Sequence, residues 1–335
     1  MRLSLFSILD QHPEAPLAGR DRHLELLRLA EVADAAGLEA LWVAEHHFQP
    51  GGLCPAPPIL LAAVGARTRR LRLGAMVSVL PFHSPVDLAE QYALLDRLSG
   101  GRVNLGVGSG YIGLELEAFG IDPAEKRLRF DAGYETLQKA FRGEPVSVVS
   151  GRTPEVRLNV LPVQQPSPPM WIAVQRREAI PFVARRGAGL ALVPYATLDD
   201  LDALRVLITE YRAALPKGTP GTVSVAFHVY VGPHVERARA SLQRYLDSRR
   251  TTQSTFYLQQ VARDPRHASV AHLEQSGLVG LGDAARVGDR LRSLREAGVD
   301  EVLAIVDFGG LAEEDVHASA RALAALADGV AAPRG

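Results

Sequence analysis

The stretch "ALWVAEHHF" (40–48) is an apolar run that breaks abruptly into one acid and two adjacent imidazoles. Buried parallel strands are apolar along nearly their whole length, so residues 40–44 read as such a strand. Glu45, His46 and His47 then fall at its carboxyl end. The next run, "PPILLAAVGART" (57–68), has helical spacing and two prolines suited to a first turn.

The same strand-then-helix unit recurs on both sides. "LSLFSIL" (3–9) precedes an amphipathic stretch from Arg20 to Ala36, which Gly37 stops. "LRLGAMVSVL" (71–80) precedes "VDLAEQYALLDRLS", and "RVNLGVGSG" (102–110) leads to a helix over Pro123 to Phe141. In the later half, "PMWIAVQ" (169–175), "LALVPY" (190–195), "TVSVAFHVYVG" (222–232) and "EVLAIVDF" (301–308) each precede a helical run. Eight such units predict a parallel sheet. With no break in composition they favour a single domain over residues 1–330, a closed (β/α)8 barrel of the TIM type. Counting alone leaves an open doubly wound sheet standing.

The chain has 335 residues, is 47% hydrophobic and carries a formal net charge of −1. It can bury a large core and has no electrostatic bias toward nucleic acid. Its single cysteine, Cys54, excludes an internal disulfide and a multi-thiolate metal site. The opening residues are too short an apolar run for a signal core, and no uncharged stretch approaches the ~20 residues of a membrane span. A cytoplasmic protein is expected.

Two stretches interrupt the alternation. Residues 143–168 read as a small hairpin with a proline-rich return. Residues 249–278 form a polar insertion after the seventh strand, and long loops on that side of a barrel lie over the active site. They are a candidate lid; the plain alternative is a surface excursion.

Polar strand ends are where a barrel does its chemistry. Besides Glu45, His46 and His47, the third strand holds Met76, Val77 and Ser78. The fourth ends in "GVGSGY" (106–111), whose glycines permit close approach of backbone to a ligand. The fifth ends in Gln175, Arg176 and Arg177 at a helix start, a place that attracts anions; a guanidinium there suits a phosphate. Each has a blander reading: a structural histidine pair, a solvated arginine, tight turns. His83 and His228 stand alone in sequence, so no metal site is expected. "GLGDAA" (280–285) imitates a dinucleotide fingerprint. It follows a poor strand, however, and Asp283 is more simply the N-cap of a helix running to Ala297.

Taken together, "WVAEHHF", the run from "LRLGAMVSVLPFHSP" to "GVGSGY", and "AFGIDPAEKRLRFDAGYETLQKAF" resemble the flavin-dependent bacterial luciferase-like monooxygenases. The likeness covers nearly the whole chain and is densest over residues 38–142. "GVDEVLAIVDFGG" (298–310) is similar to a subgroup found in natural-product biosynthesis. The resemblance implies a (β/α)8 barrel with an insertion after the seventh strand and FMN, supplied reduced, over the strand ends. It implies His46 as the catalytic histidine, with His47 beside it, and Glu45 as a flavin-contacting carboxylate. Met76 and Val77 match a non-proline cis peptide, and Gly108, Ser109 and Tyr111 match the loop at the ring and phosphate. Arg127, Gln175 and Arg176 match phosphate contacts. Bacterial luciferases carry cysteine and arginine where this chain has Gly108 and Ser109, and a serine where it has Arg176. Flavin binding is therefore expected and light emission is not.

The implied activity is a two-component monooxygenase that takes reduced FMN from a separate flavin reductase and passes an oxygen atom to a small organic metabolite. Assembly as a homodimer is expected, with no nucleic acid or membrane partner. An imidazole titrating near neutrality suits the proton transfers this needs. Two alternatives stay open: a deazaflavin-dependent hydride-transfer enzyme of the same superfamily, and a non-catalytic flavin-binding subunit. Phe48, Phe82 and Tyr111 suggest an apolar pocket for an aliphatic or aromatic substrate.

Overall fold

The chain's first and last long strands lie side by side, which closes the sheet. A computed structural model describes residues 1–11, 21–49, 51–148, 152–251 and 268–330. Strand β1 (Arg2–Ser7) is followed by helix α1 (Arg22–Ala36), β2 (Ala40–Val43), α2 (Pro57–Arg67), β3 (Arg72–Val79) and α3 (Pro85–Ser99). Next come β4 (Val103–Gly108), the short α4 (Gly113–Ala118) and α5 (Lys126–Phe141). A two-stranded antiparallel hairpin, β5 (Val146–Ser147) and β6 (Glu155–Val156), leads to β7 (Met170–Ala173), α6 (Ile180–Arg185), β8 (Gly189–Leu192), α7 (Pro194–Thr197) and α8 (Leu201–Ala214). The chain then runs through β9 (Val223–Val231), α9 (Val235–Thr251), β10 (Gly280–Gly282) and β11 (Glu301–Ile305).

Parallel pairing runs β9–β11–β1–β2–β3–β4–β7–β8, and β8 pairs back onto β9, so eight strands form a closed barrel. With β1 also paired to β11, every strand of the ring has two neighbours, which removes the open-sheet alternative. Local chemistry sets the helix ends. Asp21 caps α1 by accepting from the His23 and Leu24 amides at 3.0 and 3.1 Å, and Gly37 ends it in the left-handed region at φ 83°. The prolines at 57 and 58 open α2.

The structure departs from the sequence reading in three places. The loop after β4 contains α4, and α5 starts at Lys126 rather than Pro123. Residues 280–282, read as the opening of the imitation fingerprint, form β10, which pairs with Val229–Val231 where β9 outruns β11. Asp283 then caps the helix Ala284–Glu296, accepting from the Arg286 amide at 2.8 Å. In the expected lid, Arg249–Thr251 complete α9 and Val270–Gln275 form a short helix, while 252–267 lie outside the described residues.

Aromatic rings and one carboxylate fill the amino-terminal end of the barrel. Trp42 and Trp171 meet edge to face at 5.0 Å. A Cβ on Gly74 would collide with the Trp42 ring, so the large indole requires a glycine opposite. Glu301, 1% exposed, accepts from Ser4 at 2.6 Å, Trp42 at 3.1 Å, and Ser224 and Arg2 at 3.2 Å. A buried carboxylate with every oxygen engaged avoids the cost of an unpaired charge.

Candidate active site

The polar strand ends of β2, β3 and β4 come together at the carboxyl-terminal mouth. Glu45, at the end of β2, is 2% exposed. Its Oε2 accepts from the Val79 amide at 3.0 Å, while Oε1 lies 3.0 Å from His47 Nε2 and 2.8 Å from His83 Nε2. Burial pushes this carboxyl's pKa up, but hydrogen bonds from the two histidines and the amide outweigh it and hold the group below its ordinary value. His83, solitary in sequence, is thus a partner of Glu45.

His46 is 8% exposed and turns the other way. Its Nδ1 lies 3.1 Å from Glu115 Oε1, its amide donates to the Cys54 carbonyl at 3.0 Å, and its ring meets Tyr111 edge-on at 6.2 Å. The same Glu115 oxygen accepts from the His47 amide at 2.9 Å and Gln49 at 3.2 Å. Glu115 is 2% exposed and sits on α4, the helix that sequence periodicity missed. Its own position carried no signal, because a glutamate in "GLELEA" reads as a solvated helix face. His47 packs its imidazole among Phe48, Phe82 and Phe119 at 5.6, 5.7 and 4.8 Å.

Behind these side chains, the Met76–Val77 peptide is cis, the geometry the resemblance implies. Gly108 faces it from β4: a Cβ there would come 2.7 Å from Val77 Cγ2. Crowding by the neighbouring strand is therefore enough to require this glycine. Gly110 has φ +77° and turns the chain toward half-buried Tyr111; Ser109 is also half-buried. Lys126 Nζ donates to the Gly110 carbonyl at 3.0 Å. Burial and the neighbouring Arg176 charge both lower its pKa. Arg176 is exposed and follows half-buried Gln175 at the end of β7. Arg127, expected in this group, instead contacts Asp131 at 3.2 Å and covers the Phe182 ring at 3.5 Å. The cation that α5 sends to the strand ends is Lys126, which sequence reading passed over.

Among the described residues, no group of three or more His, Cys, Asp or Glu side chains is placed to hold a metal ion. Nor is any helix among them long and apolar enough to cross a membrane.

A closed parallel barrel with imidazoles, carboxylates and paired cations at its carboxyl-terminal mouth defines an enzyme of the TIM-barrel class. A family model described as luciferase-like monooxygenase matches residues 1–301, and the chain belongs to that family, a flavin-dependent monooxygenase class. It is 32% identical over 320 residues to an uncharacterized protein, y4wF, of Sinorhizobium fredii, covering 91% of each chain. It is 24% identical over 333 residues to the flavin-dependent trigonelline monooxygenase, oxygenase component, of Acinetobacter baylyi, covering 92% of this chain and 90% of that one. Among solved structures it resembles monooxygenase RslO1 from Streptomyces bottropensis, with TM-score 0.80 and 26% identity over 97% of this chain and 98% of that one.

Proposed function

We propose that this chain is the oxygenase half of a two-component system: it binds FMN delivered already reduced by a separate reductase and oxygenates a small organic molecule. The observation that carries the reading is the convergence, at one barrel end, of a carboxylate-held histidine and a pair of mutually repelling cations. Burial and the Arg176 charge both lower the Lys126 pKa, and a phosphate dianion beside the two cations would relieve that strain. The donor set therefore fits FMN: Lys126, Arg176 and Gln175 for the phosphate, with the Met76–Val77 and Gly108 backbone at the ring. When bound and reduced, flavin supplies the electrons that activate dioxygen. The chain's own part is proton management and shape. With Glu115 ionised, Nδ1 of His46 carries its proton toward that carboxylate, leaving Nε2 to accept or return a proton at the reacting centre. Glu45 fixes His47 and His83, and the stacked Phe82 and Phe119 rings, 4.5 Å apart, give the mouth an apolar wall.

The name of the Acinetobacter relative, an oxygenase component, supports a partner reductase. Among the described residues, both glycines of "GLGDAA" lie inside β10 and the Asp283 carboxylate caps the helix that follows, which disfavours it as a nicotinamide fingerprint. The test is oxygen uptake by the purified chain. With FMN and NADH or NADPH alone, nicotinamide oxidation should be negligible, and an unrelated flavin reductase should restore oxygen consumption. Rapid nicotinamide oxidation without a reductase, or activity with a reduced deazaflavin and none with FMN, overturns the reading.

A further inference from the structure

His228 lies on β9 with 0% exposure, and among the described residues neither of its ring nitrogens has a hydrogen-bond partner. Buried polar atoms are almost always paired, so two orphaned nitrogens on one side chain need a reason. Three aromatic rings enclose the imidazole: Tyr195 at 4.5 Å, Tyr245 at 4.9 Å and Phe308 at 5.2 Å. The Tyr195 and Tyr245 hydroxyls lie 2.9 Å apart, and Arg249 donates to the Tyr245 hydroxyl at 3.0 Å. Above this buried floor the wall is only half-buried: Arg249 and Tyr111 interact there, and Tyr111 is the ring that touches His46. The cluster is thus continuous, through Arg249 and Tyr111, with the reacting end of the site.

We propose that a hydroxylated aromatic ring is the substrate class of this enzyme, its ring against the aromatic floor and its hydroxyl hydrogen-bonded to His228. The inference rests on the monooxygenase reading above and deepens it. Complete burial drives the His228 pKa down to about 3, so the imidazole is neutral and offers one donor and one acceptor. A hydroxyl, itself donor and acceptor, satisfies either tautomer, whereas a carboxylate could use only the donor. Edge-to-face geometry with Tyr195 and Phe308 is what an inserted aromatic ring would also find, and purely aliphatic ligands would leave the nitrogens orphaned.

The experiment uses the full chain without flavin, with 4-methylphenol and toluene as probes of nearly equal shape, measured by calorimetric titration. The wild type should bind 4-methylphenol at least tenfold more tightly than toluene. His228→Phe, which keeps a ring in place, should reduce that preference to within about twofold while leaving toluene binding unchanged. Because that variant could fold poorly, the wild type labelled with nitrogen-15 in histidine gives a second readout. 4-Methylphenol should shift the two nitrogen resonances of the histidine with the strongly depressed pKa, and toluene should not. Equal affinity for the probes, a preference unchanged in His228→Phe, resonances indifferent to 4-methylphenol, or no saturable binding of either probe each overturns the proposal. Neither measurement uses flavin, so their failure leaves the oxygen-uptake test standing, and the reverse holds.

Discussion

The two ends of the barrel each bury glutamate, and they use it differently. At the amino-terminal end Glu301 is ringed by two hydroxyls, an indole N–H and a guanidinium. At the carboxyl-terminal end Glu45 and Glu115 are almost as buried, but their partners are imidazoles and amides. None of the donors on Glu301 changes protonation near neutral pH, so that site is locked. An imidazole can both accept and donate a proton, so the same residue type at the other end can guide one. The amino-terminal mouth also has a cavity of about 390 Å3 lined by Arg2, Glu39, Arg72 and Glu301, but its arginines already hold protein acceptors. Burial of charge alone therefore does not mark the active end; the chemistry of the partners does.

The sharpest way to break this contrast is Glu301→Ala. It strands four donors and should cost about 3 kcal/mol of stability in urea unfolding, while turnover per folded molecule stays within about twofold. A stable but inactive variant would make the amino-terminal end functional and dissolve the distinction. His46→Ala should do the opposite. Substrate oxygenation should slow on the order of a hundredfold, equivalent to about 2.7 kcal/mol, with flavin affinity within about tenfold of wild type. Normal turnover would remove His46 from the mechanism.

Smaller effects sharpen the assignment of cations. Arg176→Ala and Lys126→Ala should each weaken FMN binding about tenfold and riboflavin binding far less, since only FMN carries the dianion. Arg127→Ala should change neither by more than about twofold, given its engagement with Asp131 and Phe182. Equal losses for both ligands would mean that the cations support the fold. The smallest effect concerns pH. Because Glu45 is held below its ordinary pKa, its stabilising contribution is present above that value and is lost as pH falls through the folded one. Glu45→Gln should cost about 1 kcal/mol at pH 7, a difference that shrinks below about pH 4 in parallel urea titrations. A difference independent of pH would mean the carboxylate charge is not what His47 and His83 respond to.

Most of the barrel was legible because its signals are local. Apolar runs of strand length, helices with capping residues and a repeat of eight units are all written within short windows, and a buried parallel strand cannot hide its polar ending. Hence "ALWVAEHHF" located Glu45, His46 and His47 at a strand end, and the resemblance led to a cis peptide at Met76–Val77. Ring closure was different. It depends on β1 meeting β11, where Arg2 pairs with Glu301 from the far end of the chain, a pairing that no window of sequence contains.

The partners of the site residues belong to tertiary structure for the same reason. His46 and Glu115 are 69 positions apart, Glu45 and His83 are 38 apart, and only the parallel order of β2, β3 and β4 brings them within hydrogen-bond reach. Lys126 and Arg127 show the limit most clearly. Sequence placed a cation at the start of α5, but adjacent helical residues point about 100° apart, and the packing of α5 decided which one faces the strand ends. His228 was an unremarkable member of an apolar strand until three rings from three other segments closed around it and left its nitrogens, among the described residues, without a partner. Residue types and element positions follow from local chemistry along the chain. Which side chains share a proton, a charge or a ligand follows from distances between segments, and those exist only once the barrel has closed.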